Sequence, residues 1–321
     1  MKKTGKYQKY SILLWPALFL ALLFIMDLIC DRRILNAANL SSILIHAAST
    51  IFVSWAFCFV FAADYMDLSI FSIVILGSFA GGELGNRLGL LGVLIGACVV
   101  SMLCMFVNFL VHANSGIPSW IGGLGMCMIY EAIAAAYSGA MIKMGTRVVQ
   151  LKVEYRGWAT TPYIYILLLA GFAIAYLIYN KTQIGLNIRA IGNEPAVAKA
   201  MGIRFSRCIR RVGLVCGVLV GFASAVNISV ASQVSAQTGL TSLNSMFQPL
   251  ASVIFAQIIS QMDKRINIIT AVPFCTFLIY VIFNLLTFLG IPSGTLQNVA
   301  LGIIVLSFAA VANIKTKGIV K

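Results

Sequence analysis

The feature that most limits what this chain can become is a series of about ten apolar runs, long enough to approach or cross ~30 Å of hydrocarbon. They lie at about 11–30, 41–62, 68–81, 89–111, 118–138, 162–180, 208–231, 246–260, 266–288 and 296–313. In lipid every backbone N–H and C=O must find its partner within the protein, so such runs have to be helices. Of the 321 residues 60% are hydrophobic and only 10% charged, against about 25% charged in an ordinary soluble domain, which excludes a soluble globular enzyme. The expected fold class is therefore all-α, a polytopic transmembrane helix bundle. The third and eighth runs are short for a perpendicular crossing, and are expected inside the bundle, where protein or a water-lined cavity satisfies their freed backbone groups.

An even number of spans puts both termini on one side, and the distribution of basic residues decides which. With both termini cytoplasmic, 16 of the 23 Lys and Arg residues fall on the inner side and 7 on the outer. Lys2, Lys3, Lys6 and Lys9 precede the first run as in a secretory signal, but the run is too long and no small-residue cleavage site follows it, so an uncleaved first helix is expected. The net charge of +14 is spread over short connections without interleaved aromatics, a pattern unlike a nucleic-acid surface; anionic lipid and a protein partner fit it better. The outer connection at about 139–161 ends near Trp158 and Tyr163, expected as interfacial anchors.

Eight cysteines are scattered through the apolar runs with no C-x-x-C pair, and His46 and His112 stand alone, so neither a disulfide framework nor a metal site is expected. Glycines cluster between Gly77 and Gly96 and between Gly116 and Gly125, where small residues let helices approach closely. No G-x-x-x-x-G-K-[ST] occurs, so the chain lacks the phosphate cradle that ATP hydrolysis of that kind requires.

The most polar stretch is the inner connection, Gly185–Arg211. Its residues specify a short bounded helix: Asn193 as N-cap, Glu194 at the positive end of the dipole, Pro195 in the first turn, and Gly202 as the left-handed stop, with Ile203 beyond. Ala196 and Ala200 share one face, Val197 and Met201 another, while Lys199 points elsewhere beside Ala198. So short a helix is marginal in water and needs a groove to hold it.

Ala190, Gly192, Ala198, Lys199, Gly202 and Ile203 reproduce the phrase A-x-G-x-x-x-x-x-A-[KR]-x-x-G-[IV]. This resembles the coupling-helix segment of ribose-type ATP-binding-cassette importer permeases, a family that also serves other simple sugars, nucleosides and a furanosyl signalling molecule. Asn36-Ala-Ala-Asn39-Leu40, Asp67-Leu68-Ser69 and Ile117-Pro118-Ser119-Trp120-Ile121 agree with the same family in order and spacing. The chain departs from it at Glu194, Val197 and Gln248, where the family has Asn, Ala and an acidic residue.

The resemblance implies one permease domain over residues 1–321, with its coupling segment at 185–211, in a bacterial plasma (inner) membrane. It implies residues 193–202 as the contact with a separate ATPase, which holds the ATP and magnesium, so no cofactor is expected on this chain. A second permease chain, identical or paralogous, and an extracytoplasmic substrate-binding protein complete the expected importer, with ribose the leading solute. For the translocation path, the candidates are the intramembrane polar residues Asn108, Glu131, Asn227, Gln248 and Asn284. Glu131 reads equally as a path residue and as a hydrogen-bonded packing residue. The alternative function is an ion-coupled secondary transporter using Glu131 or the Asp64/Asp67 pair, suggested by the two short runs falling five apart in order.

Overall fold

The computed structural model describes residues 34–143, 148–263, 265–291, 294 and 296–303, with single positions at 21, 23, 24, 26–28 and 306. Most of the first expected span and half of the last, with the amino-terminal lysines, lie outside the described residues. Among the described residues ten α-helices have both ends set, in order: α1 (Ala37–Ala62), α2 (Ile70–Leu88), α3 (Leu90–Ser115), α4 (Ser119–Lys143), α5 (Tyr163–Lys181), α6 (Gln183–Asn193), α7 (Pro195–Ala200), α8 (Phe205–Ala231), α9 (Phe247–Met262) and α10 (Ile268–Phe288). Among the described residues seven helical stretches are long and apolar enough to cross a membrane, one of them the 3-10 helix Thr241–Met246 together with α9 up to Gln261. The fold is an all-helical membrane bundle.

The third span differs from its expectation. The apolar run fades at Gly81, yet α2 continues to Leu88, 19 residues and so ~28 Å of helix. Glu83 and Arg87 lie within it, because helix continuation satisfies their backbone groups better than an exposed turn would. The chain then reverses at Gly89 alone, whose φ of +74° suits a residue without Cβ and whose N–H bonds to the Gly85 carbonyl. Gly116, at φ +65°, ends α3 in the left-handed conformation before Ser119 opens α4.

The chain forms two compact units, residues 48–249 and residues 1–47 with 250–321. In the larger, α8 is the hub, packed on α3 and α2. Gly213, Gly217 and Gly221 recur every four residues on α8 and receive Phe109, Met102 and Cys98 of α3; a Cβ at Gly217 would lie 2.5 Å from the Met102 Cα. This small-xxx-small face lets the two backbones touch, the association that lipid otherwise does not drive. A polar seam runs beside it: Ser78 Oγ donates to the Ser224 carbonyl (3.1 Å), and the Ser101 and Ser224 hydroxyls pair (3.2 Å). The last half of α1 adds buried Phe52, Trp55, Phe57 and Phe59, with Phe52 edge-on to Phe222 of α8.

The connection between α4 and α5 folds down on this core. Val149 and Gln150 pair antiparallel with Val234 and Gln233, a ribbon two residues long, and Asn86 of α2 bonds both the Gln150 carbonyl and the Lys152 N–H. Trp158 is a correction: it is buried, and its indole N–H donates to the Leu90 carbonyl (2.8 Å), so it closes the α2–α3 turn while Tyr163 stays exposed. A buried indole N–H needs an acceptor, and the second lone pair of the Leu90 carbonyl, in the first turn of α3, supplies one.

In the smaller unit, Leu23, Met26, Ile34, Ile43 and Val281 form an apolar cluster. Asp27 accepts from the Ile34 and Leu35 N–H groups (3.0 and 2.8 Å), and Asn267 caps α10 through the Ile269 N–H (2.9 Å).

Candidate functional site

The segment expected from the sequence to couple to an ATPase, 185–211, is built from α6, α7 and the start of α8. Thr182 breaks α5 with an extended backbone, and α6 then buries Gly185, Ile188 and Ile191 along one face. Gly192 sits against the Ala62 carbonyl and the Asp64 N–H, so α6 abuts the end of α1 with no room for a side chain. Arg189 bonds the Gly185 carbonyl through Nε (3.1 Å) and lies over the Tyr179 ring, 5.1 Å from its centre.

The start of α7 departs from expectation and its end does not. Asn193 is the last residue of α6, because the Ile184, Ile188 and Ile191 spacing carries that helix through it, and an N-cap needs non-helical backbone. Glu194, extended at φ −149° and ψ 89°, takes the N-cap place without a side-chain bond, and Pro195 follows at the first helical position. At the other end Gly202 has φ +81°, its N–H bonds the Lys199 carbonyl (3.0 Å), and the Ile203 N–H bonds the Ala198 carbonyl (3.1 Å). These two bonds are the Schellman stop. Ala198 is buried inward, whereas Ala196, Lys199 and Ala200 are exposed with Val197 (54%) and Met201 (73%), leaving two large apolar side chains in solvent. Beside them a cleft of about 530 Å³ is lined by Met201, Arg204, Arg207 and Arg211, with no carboxylate on its walls.

A polar network stands where α1 turns into α2. Asp67, fully buried, accepts from the Ser69 N–H (2.8 Å), the Ser69 hydroxyl (2.7 Å) and the Asn108 amide (2.9 Å). The Asn108 amide also donates to Ser69 Oγ, and the Tyr130 hydroxyl of α4 reaches Asn108 Oδ1 (2.7 Å) and the Cys104 carbonyl (2.9 Å). Burial pushes the Asp67 carboxyl above the usual carboxylate range, with the bonds from Ser69 and Asn108 pulling the other way. Gly123 of α4 fits against the backbone of residues 66–68, where a Cβ would lie 2.7 Å from the Leu68 nitrogen. The Gly192 contact at Ala62 and this network are thus joined by five residues of chain.

One residue along α4, Glu131 is buried and accepts from the Leu240 N–H (2.8 Å), the Ser242 N–H (3.0 Å) and the Ser242 hydroxyl (2.6 Å). These donors open the 3-10 helix Thr241–Met246 that leads into α9, so the carboxylate occupies a helix N-terminus with all its near donors matched. Asn227 donates to Ser78 Oγ (3.1 Å), and Asn284 pairs with Asn39 (3.1 Å) within the smaller unit. Gln248 is half-buried in the first turn of α9. Within the larger unit Asn108, Glu131 and Asn227 are thus each held by different protein partners, with Tyr130 beside Glu131 on α4 bonded to Asn108.

An open cleft of about 360 Å³ between α2, α3 and α4 is lined by Glu83, Arg87 and Tyr137, and neither Glu83 nor Arg87 was among the expected site residues. The available signal was a carboxylate and a guanidinium four residues apart next to an apolar run. Among the described residues no three His, Cys, Asp or Glu side chains gather to hold a metal ion.

Residues 39–309 match the family described as branched-chain amino acid transport system, permease component. The chain belongs to this family. It is the permease component of an ATP-binding-cassette importer of the sugar and amino-acid class, a multi-pass membrane subunit that carries no ATPase of its own. Membership decides against the ion-coupled reading, which also loses its short third span. Among curated relatives, the galactose/methyl galactoside import permease of Haemophilus influenzae is 22% identical over 247 residues, covering 69% of this chain and 73% of that protein. The fructose import permease of Rhizobium meliloti is 26% identical over 237 residues, covering 69% of this chain and 66% of that protein. No solved structure matches the chain significantly.

Proposed function

We propose that this permease carries a monosaccharide inward, with both termini cytoplasmic and residues 193–202 seated in a groove of a separate ATPase. The observation that carries the reading is the exposed Val197 and Met201 pair on a helix too short to stand alone, bounded by Pro195 and a Schellman stop at Gly202. The arginine-lined cleft beside it suits an acidic rim on the same partner. Closure of the ATPases on nucleotide would push α7 and α6, and the Gly192 contact would pass that displacement to Ala62 and the Asp67 network. Sequence resemblance favours ribose, while the two relatives are named for galactose and fructose, so the proposed solute class is a pentose or hexose delivered by a binding protein. A second permease chain completes the path.

Co-purification tests the docking. The tagged chain should bring down an ATP-binding protein, and Val197→Asp or Met201→Asp should release it without loss of the folded permease. Ala198→Asp is the wrong probe, because Ala198 is buried and the change would damage the fold itself. Retention of the ATPase by both exposed-site variants would sink the reading.

A further inference from the structure

Glu83 and Arg87 lie one turn apart on one face of α2, and Tyr137 of α4 lines the same cleft. Opposite them Ile95 (51% exposed) and Val99 (59%) of α3 form an apolar wall. Gly96 between these two lets α3 press on α2: a Cβ there would lie 2.5 Å from the Ala80 carbonyl oxygen. Glu83 and Arg87 stand in the last two turns of α2, and ionisable side chains on a helix of a membrane bundle face a water-filled path, a protein neighbour or the aqueous edge. We infer that this cleft is a solute-contact station on the translocation path, taking a neutral polyhydroxyl solute.

The chemistry selects the class. Glu83 only accepts, Arg87 only donates and Tyr137 does either, a set that matches neighbouring hydroxyls, each of which both donates and accepts. The opposite charges cancel, so an ion gains no net attraction. Ile95 and Val99 offer a surface for the C–H face of a sugar ring. About 360 Å³ falls within the ~300–1,000 Å³ of small-molecule sites, and the open side suits a station that must release its cargo. The inference rests on the proposed importer of monosaccharides and adds the residues that touch the solute.

The test uses the whole importer, this chain with its ATPase, its partner permease and its binding protein, in proteoliposomes with radiolabelled galactose, fructose, ribose and leucine. Glu83→Gln and Tyr137→Phe should each lower initial sugar uptake about tenfold, the loss of one hydrogen bond involving a charged group, with co-purification of the ATPase unchanged. Independently, Val99→Cys should react with a charged, membrane-impermeant thiol reagent above the wild-type background and be protected by the transported sugar. Uptake within twofold of wild type in both variants overturns the proposal. So does labelling of Val99→Cys only by a lipid-soluble maleimide, which would place the cleft against lipid. Loss of the partner permease in Glu83→Gln would make the cleft a subunit contact, and Glu83-dependent leucine uptake would make the solute a zwitterion; either replaces the inference. If wild type moves none of the three sugars, the monosaccharide reading fails, and the labelling still decides whether the cleft is wet.

Discussion

Replacing Glu131 separates an anchor from a path residue. Its Oε1 receives two bonds from Ser242 and its Oε2 one from the Leu240 N–H. In Glu131→Gln the amide oxygen can keep the Ser242 pair, but the new NH2 faces the Leu240 N–H, donor to donor. One unsatisfied buried donor costs about 1–3 kcal/mol. Glu131→Ala abandons all three donors at once, at about 1–3 kcal/mol for each that stays buried and unpaired. Detergent-solubilised protein followed by fluorescence-detected size exclusion across a temperature series should show the melting point falling ~2–6 °C for Gln and further for Ala. Proteolysis within residues 232–246 should rise in the same order, since the carboxylate ties that segment to α4. Unchanged melting in both variants would refute the anchoring account, and lost sugar uptake at unchanged stability would return Glu131 to the path.

Gly217→Leu should abolish folded protein in the membrane, because the obstacle is the Met102 backbone, whereas Gly125→Ala and Gly139→Ala, with nothing within 4 Å, should leave expression at wild-type level. Gly202→Ala forces a Cβ into a left-handed backbone at about 1–2 kcal/mol and should reduce ATPase co-purification while the membrane core melts normally. Asp67→Asn turns the Asn108 contact into donor against donor and should lower the melting point by the equivalent of about 1–3 kcal/mol, with Tyr130→Phe costing about 0.5–1.5 kcal/mol in the same network.

Element existence was legible in the sequence because a bilayer imposes one rule, apolar length, on every span, and α1, α3, α4, α5, α8 and α10 appear close to where their apolar runs lie. The end of α7 was legible too: Gly202 followed by Ile203 is a local stop signal that needs no distant partner. Its beginning was not, since Asn193 is a good cap only if no helix arrives from before it, and α6 does. The extent of α2 was missed because hydropathy counts Glu83 and Arg87 against a span, while the chain continues helical and turns them into a cleft. Gly213, Gly217 and Gly221 carried a readable four-residue period, and their meaning depended on which helix they met.

Composition and local pattern thus determined by themselves a helical membrane subunit without a nucleotide site of the Walker kind, and a stubby helix with a fixed stop at Gly202. Tertiary structure decided the polar residues. Whether Glu131 meets solute or backbone, whether Asp67 is solvated or enclosed by Ser69 and Asn108, and whether Glu83 and Arg87 end a span or line a cleft all depend on donors contributed by other helices. Apolar burial depends on area and can be read along one stretch of sequence, whereas these hydrogen bonds depend on distance and direction between groups 41 and 111 residues apart, and only the packed helices set those.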